Sequence, residues 1–223
     1  MPLILYPLLM ILMCLLSFYL FLRDEERITS DSGESRVTGQ MNMSAIIYSV
    51  VMILLTQVLS VLIPRMFPDS GNITVLKQLL LLSIIWPIAY IDFMTCRIPN
   101  TFVLYGLGVR ACVLVFELLF NDGALVYTLI SEGIAAGALF IASMLCAVCM
   151  KGSIGFGDIK LFLVMGLFLG MEVCWSAVFS ALVISLVVAL FLLATKKKSR
   201  KDTMPFGPAI VMGTYLSVCL TGM

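Results

Sequence analysis

The stretch KQLLLLSIIWPIAYI, residues 77–91, runs directly into Asp92. It is one of eight apolar runs in the chain. Crossing a bilayer takes about 20 apolar residues in a helix, and fewer suffice for a short or partly re-entrant one. Outward from this stretch, the runs fall at about 2–22, 44–63, 77–91, 101–120, 124–150, 160–170, 172–195 and 208–222. The pattern predicts an all-α, polytopic membrane protein of about eight transmembrane helices in one membrane domain. The sixth run is too short to span comfortably, and a tight turn near Gly170 is expected to pair it with the seventh. The first run has no basic residue before it and no small-residue cleavage pattern, so it reads as an uncleaved helix and not a signal peptide.

Composition points the same way. Of 223 residues, 61% are hydrophobic and 12% charged, whereas soluble domains are about half apolar and a quarter charged. A core of this size does not hide the excess, so lipid must solvate it. The formal net charge of +1 makes nucleic acid an unexpected partner. Histidine is absent, which excludes Ser-His and Cys-His nucleophile pairs and an HExxH zinc site. Most of the seven Cys sit in apolar runs, where Cys acts as a small hydrophobe. Cys146 and Cys149 form a C-x-x-C with no second pair to complete a zinc site, so neither metal nor cofactor is expected.

Orientation follows from the basic residues between the runs. Arg23, Arg27, Arg36, Arg97, Lys151, Lys160, Lys196, Lys197, Lys198, Arg200 and Lys201 fall on one side, against Arg65 and Lys77 on the other. Both termini are therefore expected outside, with the basic loops in the cytoplasm. The same parity brings Asp92 and Asp158 to the cytoplasmic face. Arg110 and Glu132 lie inside the fourth and fifth runs at similar depth, and burying either alone would be expensive, so an ion pair is expected. Glu117 is placed near the outer interface, where it can snorkel.

Two acidic motifs carry the chemistry. In the first, Asp92-Phe93-Met94-Thr95-Cys96-Arg97-Ile98-Pro99-Asn100, the helix ends at Asp92; Pro99 bars its continuation, and Asn100 and Thr101 can cap the next helix. A carboxylate there meets the negative end of the helix dipole, which suits a protonated acid. In the second, Gly152-Ser153-Ile154-Gly155-Phe156-Gly157-Asp158-Ile159-Lys160, glycines make a compact loop and Asp158 opens a helix, where the positive dipole end favours its charge. Two Asp on the ends of different helices, in a chain without His, suit aspartic catalysis. One carboxylate takes a proton from water while the other, protonated, donates to the scissile carbonyl. By the dipole argument Asp158 is the base and Asp92 the acid, although a coupled pair titrates as a unit. Lys160 is placed to hold Asp158 ionised.

Gly155-Phe156-Gly157-Asp158 matches the GxGD signature of membrane aspartic proteases. With Asp92, Ile98-Pro99-Asn100, Lys160 and the later Pro205-Phe206-Gly207-Pro208, the ordered set resembles type IV prepilin peptidases. That resemblance implies a GxGD-type fold with a peptidase core over 77–223. Residues 1–76 would then supply two preceding helices and a polar cytoplasmic loop at 23–43. It implies catalytic roles for Asp92 and Asp158, support from Gly155, Gly157 and Lys160, and cleavage of a basic leader from prepilins or pseudopilins at the cytoplasmic face of the bacterial inner membrane. Many members carry paired C-x-x-C motifs after the first helix, associated with methylating the new N-terminus. Residues 23–43 contain no Cys, so the resemblance extends to cleavage and leaves methylation open. Two other readings stand beside it: a transporter or channel using Arg110 and Glu132, and, among hydrolases, a Ser153–Lys160 pair.

Overall fold

The computed structural model describes residues 5–31, 43–68, 71–120, 125–149, 155–195 and 204–221. Among these, seven helices form: α1 (Leu5–Asp31), α2 (Met43–Met66), α3 (Asn72–Thr95), α4 (Asn100–Phe120), α5 (Leu125–Cys149), α6 (Phe156–Ala194) and α7 (Gly207–Thr221). Six are long and apolar enough to cross a membrane, and α7 is shorter. The chain is a polytopic α-helical membrane protein. In hydrocarbon every backbone amide and carbonyl must find a partner within the protein, and the helix supplies one inside each segment.

The opening stretch of the sequence becomes the central helix. Every residue of α3 from Val75 to Ala89 is buried, and α1, α2, α4, α6 and α7 pack around it. A helix apolar on all sides belongs in such a position. Contacts along α3 set the directions of its neighbours. Tyr6 at the start of α1 donates to Asn72 Oδ1 at the start of α3 (3.0 Å), so these two run parallel. Tyr48 in early α2 donates to the carbonyl of Trp86 in late α3 (2.8 Å), so α2 runs the other way. Gly207 at the start of α7 meets Asp92, and Tyr215 reaches Leu82 O (3.3 Å); α7 is antiparallel to α3 as well. The start of α1 and the end of α7 therefore lie at the face opposite Asp92.

The eight expected runs appear as seven helices because 160–170 and 172–195 form one element, interrupted at Gly170. Gly170 has φ 68° and ψ −175°, a left-handed φ that favours glycine. The two halves of α6 run in opposite senses. In the first half (156–169), Gly166 lies against Ala136 of α5. In the second half (171–194), Val173 O accepts from Ser217 near the end of α7 (3.1 Å). The turn expected near Gly170 is therefore present. It separates Leu167 O from Met171 N–H, which an unbroken helix would join. Each finds a side chain instead. Arg110 Nε donates to Leu167 O (2.8 Å), and Met171 N–H donates to Ser131 Oγ (3.1 Å).

Arg110 belongs to a buried cluster of four charges. It pairs with Glu132, as the sequence leads one to expect, and with Glu117 at 3.0 Å. Lys77 also pairs with Glu132, and with Glu117 at 2.8 Å. Two expectations are corrected here. Glu117 does not snorkel; it is fully buried. Lys77 is no outer-loop residue; it points inward from the start of α3 and is 2% exposed. Two cations and two carboxylates make the cluster formally neutral, which lowers the cost of burying it in a medium of low dielectric.

Neutrality predicts a pattern of stability. Arg110→Gln and Glu132→Gln should each leave an unbalanced buried charge and destabilise the protein by about 3–5 kcal/mol. The double variant should recover part of that loss. Thermal unfolding in detergent measures all three; strictly additive losses would contradict the coupling.

Candidate functional site

Asp92 lies in the last turn of α3. Its own carbonyl accepts the N–H of Cys96 (2.8 Å), and Cys96 adopts a left-handed conformation (φ 51°) that closes the helix. The Asp92 side chain is 5% exposed. Its Oδ2 accepts the backbone N–H of Gly207, the first residue of α7, at 2.7 Å. An N-terminal amide of one helix thus binds a carboxylate at the C-terminal end of another. Gly207 is needed for this approach: a Cβ there would lie 2.8 Å from Asp92 Oδ2 and 2.9 Å from Asp92 Cβ.

Asp158 lies at the start of α6. The sequence expectation that it opens this helix needs a small correction. Gly155 holds the cap position, and Asp158, three residues on, reaches back so that its Oδ2 accepts the Gly155 N–H at 3.3 Å. The Gly155–Gly157 segment packs directly on the loop after α3. A Cβ on Gly157 would lie 2.8 Å from Ile98 Cβ. Glycine at 157 is what lets the two acidic loops touch. The Asp92 and Asp158 carboxylates are near enough for one charge to act on the other.

Pro205-Phe206-Gly207-Pro208 joins the two sides. While Gly207 N–H holds Asp92, the Phe206 ring packs edge-on against Phe162, one turn beyond Asp158 (centroids 6.0 Å apart). The motif resemblance pointed to this segment. The specific contact was not legible, because a backbone donor has no side-chain signature. The contact also changes the electrostatic argument. Both carboxylates accept from amides at helix N-termini, so the dipole no longer separates an acid from a base.

Lys160 turns away from the role expected of it. Its Nζ donates to Asn100 Oδ1 at 2.8 Å, tying the start of α6 to the start of α4. Thr101, the next residue, lies 3.5 Å from Asp24 Oδ1 of α1. Ser153 lies outside the described residues. Cys146 and Cys149 are free and exposed on α5. No cluster of three or more His, Cys, Asp or Glu that could hold a metal occurs among the described residues.

Residues 79–193 match the type IV leader peptidase family, a stretch that contains both aspartates. A prepilin leader peptidase/N-methyltransferase of Bacillus subtilis (strain 168) is 36% identical over 85 residues. That match covers 38% of this chain and 34% of the relative, so it spans about a third of the relative's length. No solved structure matches significantly.

The close approach at Gly157 is testable without an activity assay. Gly157→Ala should lower stability by about 1–3 kcal/mol through overpacking against the Ile98 Cβ, and the loss should be smaller in an Ile98→Gly background, which lacks that atom. Thermal unfolding of the two variants checks this. Equal loss with and without the Ile98 substitution would mean the loops do not meet there.

Proposed function

The chain belongs to the type IV leader peptidase family, and from that premise we propose that it is a membrane endopeptidase cutting the basic leader from prepilins or pseudopilins, with Asp92 and Asp158 as its water-activating pair. One observation carries the reading. Two acidic residues from separate motifs come to the same end of the helix bundle, on loops that touch through Gly157 and Ile98, with their charges in mutual range.

The chemistry needs little else. One carboxylate accepts a proton from a water held between the pair, and the resulting hydroxide attacks the scissile carbonyl. The other carboxyl, protonated, donates to the carbonyl oxygen as charge develops there, and the pair returns the proton to the leaving amine. Two close carboxylates share one proton because both do not ionise cheaply, so the resting pair already holds one base and one acid. The Gly207 amide fixes Asp92 from the side of α7. The Gly155 amide fixes Asp158 from within its own loop.

The location suits a peptide cut beside a hydrophobic helix. Phe93, Met94 and Phe156 are exposed next to the aspartates, offering an apolar margin where a substrate's stem can lie while its polar leader stays in water. Arg23 in late α1, Arg97 after α3 and Lys160 in early α6 lie at this end, which supports a cytoplasmic position for it. The Lys77–Arg110–Glu117–Glu132 cluster is internally paired, which supports a structural role for Arg110 and Glu132 in place of a transport path.

Asp92→Asn and Asp158→Asn, made singly, should each reduce prepilin cleavage by at least about 100-fold while leaving membrane insertion intact. Ser153→Ala should cleave normally. Retained cleavage in either Asn variant would refute the pair, and loss of cleavage on replacing Ser153 would point to a serine nucleophile.

A further inference from the structure

The first half of α6 is short. Residues 156–169 span about 21 Å at 1.5 Å per residue, against a hydrocarbon core of about 30 Å. Asp158 sits in its first turn, at the end nearer the membrane surface. Its inner end, at Leu167–Gly170, therefore stops within the membrane, at the level of Lys77 in early α3, Ser131 and Glu132 in early α5, and Glu117 in late α4. Helix ends carry unpaired backbone groups, and in hydrocarbon water does not satisfy them.

We propose that Ser131 and Arg110 are positioning residues for Asp158, holding the inner end of the half-helix that carries it; this rests on the peptidase reading above. The contacts divide the broken Leu167–Met171 pair between them. Arg110 Nε donates to Leu167 O, a cation at the negative end of the half-helix. Ser131 Oγ accepts from Met171 N–H and so fixes where the returning half begins. Arg110 has a nitrogen to spare for Leu167 because its guanidinium forks: Nη1 and Nη2 engage Glu117 and Glu132 while Nε remains for the carbonyl. Glu117 and Glu132 aim the Arg110 guanidinium, and Lys77 pairs with the same two carboxylates. The half-helix is thus held at one end through Lys160 and Gly157 and at the other through Leu167. A shift at the inner end moves the rod as a unit and displaces the Asp158 carboxylate relative to Asp92. Neither Arg110 nor Ser131 touches the reacting atoms.

The test is steady-state cleavage of a purified prepilin by the full chain in detergent, with folded protein quantified for each variant. Ser131→Ala removes the acceptor for Met171 N–H. It should lower kcat about tenfold with KM unchanged, since misplacement of a catalytic group by a fraction of an ångström has effects of this order. Ser131→Thr keeps the hydroxyl and should restore kcat. Arg110→Lys keeps the cluster neutral but supplies no separate nitrogen for Leu167. It should lower kcat likewise, and it carries the test if Ser131→Ala fails to accumulate. Wild-type kcat in either Ser131→Ala or Arg110→Lys, a loss confined to KM, or no recovery with Ser131→Thr would overturn the proposal. A wild-type chain that cleaves no prepilin would instead overturn the peptidase reading itself.

Discussion

A helix that ends inside hydrocarbon leaves backbone amides and carbonyls without helical partners, and one such end sits at the charged interior of this protein. At Gly170 the chain reverses, and the Leu167 carbonyl and Met171 amide lose each other. Ser131 takes one and Arg110 the other. A guanidinium in the membrane then requires anions, and Glu117 and Glu132 supply them. Two anions exceed one cation, and Lys77 restores balance. The four buried charges thus meet at one backbone break. They draw α3, α4, α5 and α6 to a common point.

At the other end of the bundle, backbone donors replace charged side chains. The amides of Gly207 and Gly155 hold the two candidate carboxylates, and glycine at 157 and 207 permits the approach of one segment to another. An amide aimed at a carboxylate adds no new charge that must itself be neutralised, which suits a site where the proton inventory matters. The Lys160–Asn100 tie joins the same loops at their exposed edge.

Much of this was legible from residue order alone. Apolar runs gave the helices, and the short run ending at Gly170 marked the reversal. Counting from the intervening turn put Arg110 and Glu132 at one depth, where they pair. Other features were hidden for physical reasons. Lys77 and Glu117 lie near the ends of their runs, and position along a run does not reveal which way a side chain faces; both face inward. The Gly207 amide donates to Asp92 from 115 residues away, and backbone groups leave no mark in composition. That contact also removes the dipole contrast between Asp92 and Asp158, because Asp92 at the end of α3 meets the start of α7 as well. Lys160 was assigned to Asp158 by its nearness in sequence, but the structure turns it to Asn100, which lies closer in space.

The Asp92–Gly207 contact also bears on how the protein is made. Its two partners are separated by 115 residues, an interval holding α4, α5 and both halves of α6. During synthesis Asp92 emerges and enters the bilayer long before the amide that will hold it exists. The nascent chain therefore holds Asp92 without this partner while α4, α5 and α6 are made, and the surroundings of Asp92 are complete only once α7 has docked.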